Sequence, residues 1–130
     1  RRQRQMCIRD RCGLDPSQVF KTLVARGASK SIYVFDVPVT GELDLKKAAK
    51  AAGEKSIAMI HVSEINALTG YIRGGCSPVG MKKEFPTYID ETAMLFDAIA
   101  VSGGMRGVQL IVNPDQLLGF VKGEYVDLTA

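Results

Sequence analysis

Apolar positions along this chain come in short runs. SIYVFDVPV, Ser31 to Val39, is apolar at nearly every position, the pattern of a strand covered on both faces. VFKTLVAR, Val19 to Arg26, is rich in β-formers and predicts a strand beside it. GASK between them predicts a hairpin-like break. ELDLKKAAKAAG, Glu42 to Gly53, predicts the clearest helix, rich in Ala and Lys and stopped by Gly53. SIAMI predicts a short strand. HVSEINALTG fits a second helix, with Ser63 as its cap.

Further along, FPTYIDE reads as a strand. TAMLFDAIAVSGG reads as a short turn of helix followed by a strand from Ala98 to Ser102. GVQLIVN, Gly107 to Asn113, predicts another strand. NPDQLLGFV predicts a helix capped by Asn113 with Pro114 in its first position. EYVDLT predicts a closing strand, and Asp15-Pro16-Ser17 a turn or helix start near the beginning. Six or seven strands and three or four helices that do not alternate strictly disfavour a doubly wound parallel sheet. They predict an α+β domain with a mixed sheet.

At 130 residues the chain has room for one domain, and its 46% hydrophobic and 24% charged content is that of an ordinary globular protein. No apolar run approaches the roughly 20 residues of a membrane helix, and no signal-peptide pattern is present. The net charge of +3 is unevenly spread: residues 1–11, RRQRQMCIRDR, carry +4 and the remainder −1. Those eleven residues have no helical or strand periodicity and resemble translated sequencing-adapter DNA. They are expected to be non-native, with residues 12–130 forming the domain; the rival reading is a basic arm for nucleic acid. The cysteines, Cys7, Cys12 and Cys76, lack the spacing of a zinc site or a redox pair. Reduced thiols and a cytoplasmic setting are expected.

Few residues offer chemistry. His61 is the single histidine, so any Ser-His-Asp or Cys-His site would depend on it, and a histidine-rich metal site is disfavoured. Its place at a strand-to-helix junction suits a cap or surface role better. Cys76 lies in the glycine-rich TGYIRGGCSPVGMKK, Thr69 to Lys83. With no partner to lower its pKa it reads as a small packing residue. Neither that stretch nor VSGGMRG, Val101 to Gly107, matches a nucleotide-binding fingerprint. Two glycine-rich turns beside strand ends can nevertheless line one pocket, because glycines let backbone N–H groups approach a ligand. Lys21, inside an apolar strand, points either to solvent or into such a pocket, where it would attract a carbonyl or phosphate oxygen.

VFKTLV, LDLKKAAKAAG, TGYIRGGCSPVGMKKEFPTYID, VSGGMRG and NPDQLL, taken together and in this order, resemble the YbaK-type (YbaK/EbsC) aminoacyl-tRNA deacylases, in the superfamily of the prolyl-tRNA synthetase editing domain. The resemblance runs from about Gly13 to Leu128. It implies a mixed, partly barrel-like sheet ringed by short helices, without the helix and strand that usually precede residue 13. It implies trans-editing hydrolysis of misacylated tRNA, foremost Cys-tRNA(Pro), with no cofactor and no metal. Lys21 matches the family's functional lysine, Gly74 and Gly75 its pocket loop, and Ser102 the serine of its VSGG turn. Tyr71 and Gln109 are further substrate contacts under this reading, and Arg73, Lys82 and Lys83 are candidates for the tRNA backbone. Met105 and Gln109 stand where the family often has Lys and Asp. Expected partners are aminoacyl-tRNA and prolyl-tRNA synthetase, not DNA or a membrane. The alternatives are a deacylase for Ala- or Ser-tRNA using a bound water, a non-catalytic module binding aminoacyl-tRNA or a synthetase, and a small-thiol redox protein, which the absent Cys-x-x-Cys disfavours.

Overall fold

The computed structural model describes residues 6–8, 14–60, 85–102 and 108–130, excepting the side chains at 6–8, 102, 108 and 109. Strands are β1 Met6–Ile8, β2 Phe20–Gly27, β3 Ile32–Pro38, β4 Ile57–Met59, β5 Thr87–Asp90, β6 Ile99–Ser102, β7 Val108–Val112 and β8 Glu124–Val126. Helices are α1 Leu45–Ala52 and α2 Pro114–Val121, with 3-10 turns at Pro16–Gln18 and Glu91–Leu95. The predicted helix over 61–70 lies outside the described residues.

Local chemistry explains the boundaries. Asp44 caps α1 by accepting from the Lys46 and Lys47 N–H groups, so the helix begins three residues after the expected Glu42. Gly53 ends it at φ 73°, a left-handed conformation that glycine adopts without steric cost. Asn113 caps α2 as predicted, accepting from the Gln116 N–H, with Pro114 at the start. Asp15 and Gln18 form a reciprocal capping box around the first 3-10 turn.

Five strands form a mixed sheet in the order β4-β2-β3-β5-β8, and three form an antiparallel sheet in the order β1-β7-β6. β2 and β3 make the predicted antiparallel hairpin, while β3–β5 and β5–β8 pair in parallel. β1, on which no strand was expected, pairs with β7 from Met6↔Leu110 to Ile8↔Val108.

The large sheet is covered on both faces. Ala25, Tyr33, Phe35 and Val37 pack with Ala48 and Ala49 of α1 and with Leu128. Phe20 and Ile89 pack with Ile99 and Val101 of β6 and Leu117 of α2. Central β3 is therefore buried from Tyr33 to Pro38, which accounts for its unbroken apolar run. A parallel bridge, Val19↔Ala100, joins the two sheets.

Candidate functional site

The site is built on the outer edge of β2. One edge of that strand is occupied by β3, up to a Val39 N–H donated to the Val19 carbonyl at 2.8 Å. On the other edge two strands approach from opposite ends. Antiparallel β4 pairs with Ala25 to Gly27 and extends to an Ile60 N–H on the Val24 carbonyl at 3.3 Å. Parallel β6 joins at Val19↔Ala100. Among the described residues, no strand pairing on this edge covers the short stretch Lys21–Leu23, the gap between β4 and β6. Residues 61–84 and 103–107, which follow Ile60 and Ser102 in sequence and hold most of both glycine-rich stretches, lie outside the described residues.

Two residues beyond the bridge stand Lys21 on β2 and Ser102 on β6, and Ser102 pairs with Gln109 of β7. Three positions singled out in the sequence thus share one corner of the fold. Tyr71, Arg73, Gly74, Gly75, Lys82 and Lys83, with His61, Cys76 and Met105, lie outside the described residues.

Lys21 is neither fully solvated nor buried. Its side chain is 31% exposed, and Nζ lies 3.7 Å from Glu42 Oε1, itself 85% exposed. Such an exposed pair contributes at most about 1 kcal/mol. It leaves the ammonium free to exchange Glu42 for a more strongly held anion.

Sequence reasoning missed Asp36. It sits on β3 directly opposite Thr22, the residue after Lys21. Its carboxyl is fully buried; Oδ1 accepts the Thr22 hydroxyl at 2.5 Å, and Oδ2 has no partner among the described residues. Desolvation raises its pKa to about 7, with the Thr22 hydrogen bond pulling the other way. The available signal was an acidic residue inside an otherwise apolar, two-faced strand.

Among the described residues no group of three metal-ligating side chains occurs, and no helix is long and apolar enough to cross a membrane.

The described strands give a mixed α+β fold with Lys21, Ser102 and Gln109 at one corner. Residues 8–120 match the aminoacyl-tRNA editing domain family, and the chain belongs to it. It is 45% identical, over 94% of its length and 74% of the relative's, to an Enterococcus faecalis protein provisionally named Cys-tRNA(Pro)/Cys-tRNA(Cys) deacylase EbsC. A crystal structure provisionally assigned as a trans-editing enzyme for prolyl-tRNA synthetase superposes with TM-score 0.84 at 30% identity, covering 91% of this chain and 74% of that one. The crystal structure of a hypothetical protein shares the fold at TM-score 0.87 and 20% identity, covering 97% and 91%.

Proposed function

We propose that the protein is a trans-editing aminoacyl-tRNA deacylase, acting in the cytoplasm on Cys-tRNA(Pro). The Enterococcus relative's name supports the substrate. The trans-editing neighbour supports an association with prolyl-tRNA synthetase. The observation that carries the reading is the placement of Lys21, Ser102 and Gln109 around the gap in the β2 edge.

In this reading the protein supplies no nucleophile. The substrate's thiolate attacks its own ester carbonyl, a C–S bond forms, and the ester C–O bond breaks. The ribose 3′ oxygen leaves with a proton, and water then opens the cyclic thioester to free cysteine. Positioning and charge stabilisation are the protein's contribution. Lys21 holds a phosphate or hydroxyl oxygen of the 3′-terminal nucleotide. Gly74 and Gly75 N–H groups, Ser102, Tyr71 and Gln109 hold the aminoacyl group and the ribose. Arg73, Lys82 and Lys83 meet the tRNA backbone, so binding weakens as salt rises.

Lys21→Ala is expected to slow deacylation of Cys-tRNA(Pro) on the order of a hundredfold, whereas Cys76→Ala keeps the parent rate. An unchanged rate in Lys21→Ala refutes the lysine's role, and loss of activity in Cys76→Ala restores a protein nucleophile. A panel of charged tRNAs run beside it fixes the substrate. Hydrolysis of Ala- or Ser-tRNA with Cys-tRNA(Pro) left intact would replace thiol attack by attack of a bound water.

A further inference from the structure

Among the described residues two aspartates are completely buried, and they differ in their partners. Asp90 has both oxygens engaged. Oδ1 accepts the Leu128 N–H at 2.8 Å, and Oδ2 accepts the Thr92 N–H at 3.2 Å and the Thr92 hydroxyl at 2.6 Å. That is the pattern of a structural carboxylate, whose desolvation is offset by hydrogen bonds. Asp36 has a single bond, from Thr22, and its Oδ2 is unpartnered among the described residues. Leaving a buried polar atom unpaired costs about 1–3 kcal/mol, more for a charged one. Such an acceptor is suited to a donor that arrives from outside.

The location narrows the donor. Strand pairing places Asp36 beside Thr22 on β2 and Ile89 on β5. With Phe20 two residues before Thr22, this is the sheet face that Ile99 and Val101 of β6 cover. Lys21 alternates onto the other face. The carboxyl therefore stands one strand in from the gap between β4 and β6, with the Thr22 hydroxyl between it and the edge. The 3′ end of an aminoacyl-tRNA carries phosphates, hydroxyls and the ester, which are anionic or neutral. Its one cation is the α-ammonium of the amino acid. An acidic residue behind the gap repels the phosphates, gains no charge attraction from the neutral groups, and attracts the ammonium.

We propose that Asp36 is a specificity-determining residue whose Oδ2 accepts the α-ammonium of the bound aminoacyl ester, while the Thr22 hydroxyl holds Oδ1. This rests on the deacylase reading above. It adds a requirement for a free amine, so that peptidyl- and N-acylated tRNAs are refused.

The test uses the full chain and two non-hydrolysable probes, 3′-cysteinylamino-3′-deoxyadenosine and its N-acetyl form, titrated at pH 7. N-acetylation is expected to weaken binding to the parent by at least about tenfold, and to Asp36→Asn by no more than about twofold. Thr22→Val is expected to fall between. An equal N-acetyl penalty in the parent and in Asp36→Asn overturns the proposal, since a merely structural carboxyl would alter both affinities together. Should Asp36→Asn not fold, Thr22→Val decides alone, and a penalty equal to the parent's overturns it. Turnover of Cys-tRNA(Pro) is read in parallel. A parent that hydrolyses with an Asp36-independent penalty sinks this inference only. An Asp36-dependent amine preference without turnover sinks the deacylase reading only. A parent that binds neither probe overturns this inference, whatever its turnover.

Discussion

Burial without a full set of partners gives Asp36 a second consequence, in stability. Its carboxyl titrates near 3.8 when solvated and at about 7 in the fold, because desolvation penalises the charged form. Below pH 3.8 both states hold the proton and no charge is buried. As pH rises towards 7 the unfolded chain releases its proton first, so stability falls with pH; above 7 the penalty is complete. Asparagine cannot ionise. Urea unfolding of the parent and of Asp36→Asn from pH 4 to pH 8 is therefore expected to shift in favour of the variant by roughly 4 kcal/mol. Parallel pH profiles would mean that the carboxyl is ionised throughout and paired. Lys21 was legible as a candidate from its place in an apolar strand. Asp36 was not, because a run like SIYVFDVPV reads as uniformly buried, and nothing in the string reveals that Thr22 lies across from it. That pairing is a matter of register between strands.

Elements were legible where their ends carry their own chemistry. The Asn113-Pro114 start of α2 and the Gly53 end of α1 are local signals, and the structure uses both. The sequence pattern predicts α1 from Glu42, whereas the helix begins at Leu45. Asp44 wins because its side chain takes two N–H groups, at 2.9 and 3.1 Å, that would otherwise lack partners. Asp44→Ala is accordingly expected to cost about 1 kcal/mol, within the 0.5–2 range of such caps, read as a lower midpoint in thermal or urea unfolding. Asp44→Ser should recover most of it. A cost near zero would show that tertiary packing of Ala48 and Ala49 holds the first turn unaided. β1 was not legible. Its three residues form a strand by pairing with β7 rather than by any alternation of their own. The gap in the β2 edge escaped for the same reason, being a meeting of β4 and β6 from distant parts of the sequence.

At the scale of the molecule, the large sheet packs two cores among the described residues and carries the candidate site. The first core, around Phe35 and Val37, lies against α1; the second, around Phe20 and Ile89, lies against β6 and α2. β2 contributes to both and carries the gap on its edge, so anything that loosens the sheet also loosens the site. The chain's last residues bind this arrangement together. Leu128 is fully buried in the first core, and its N–H is held by Asp90. The Asp44 N–H bonds the Leu128 carbonyl at 2.7 Å, and Lys47 reaches the Thr129 carbonyl at 2.7 Å and Asp127 at 3.0 Å. Asp90 ends β5, whose Ile89 belongs to the second core. Leu128 is thus tied to both faces. Leu128→Ala is expected to cost about 2–5 kcal/mol through the lost transfer energy and the cavity left behind. Because the cores share the sheet, the loss should be global. Far-UV circular dichroism and tyrosine fluorescence should shift to lower urea together, with one midpoint. Separate transitions would show that the α1 face unfolds on its own, and that the β2 edge owes its geometry to β6 and α2 alone.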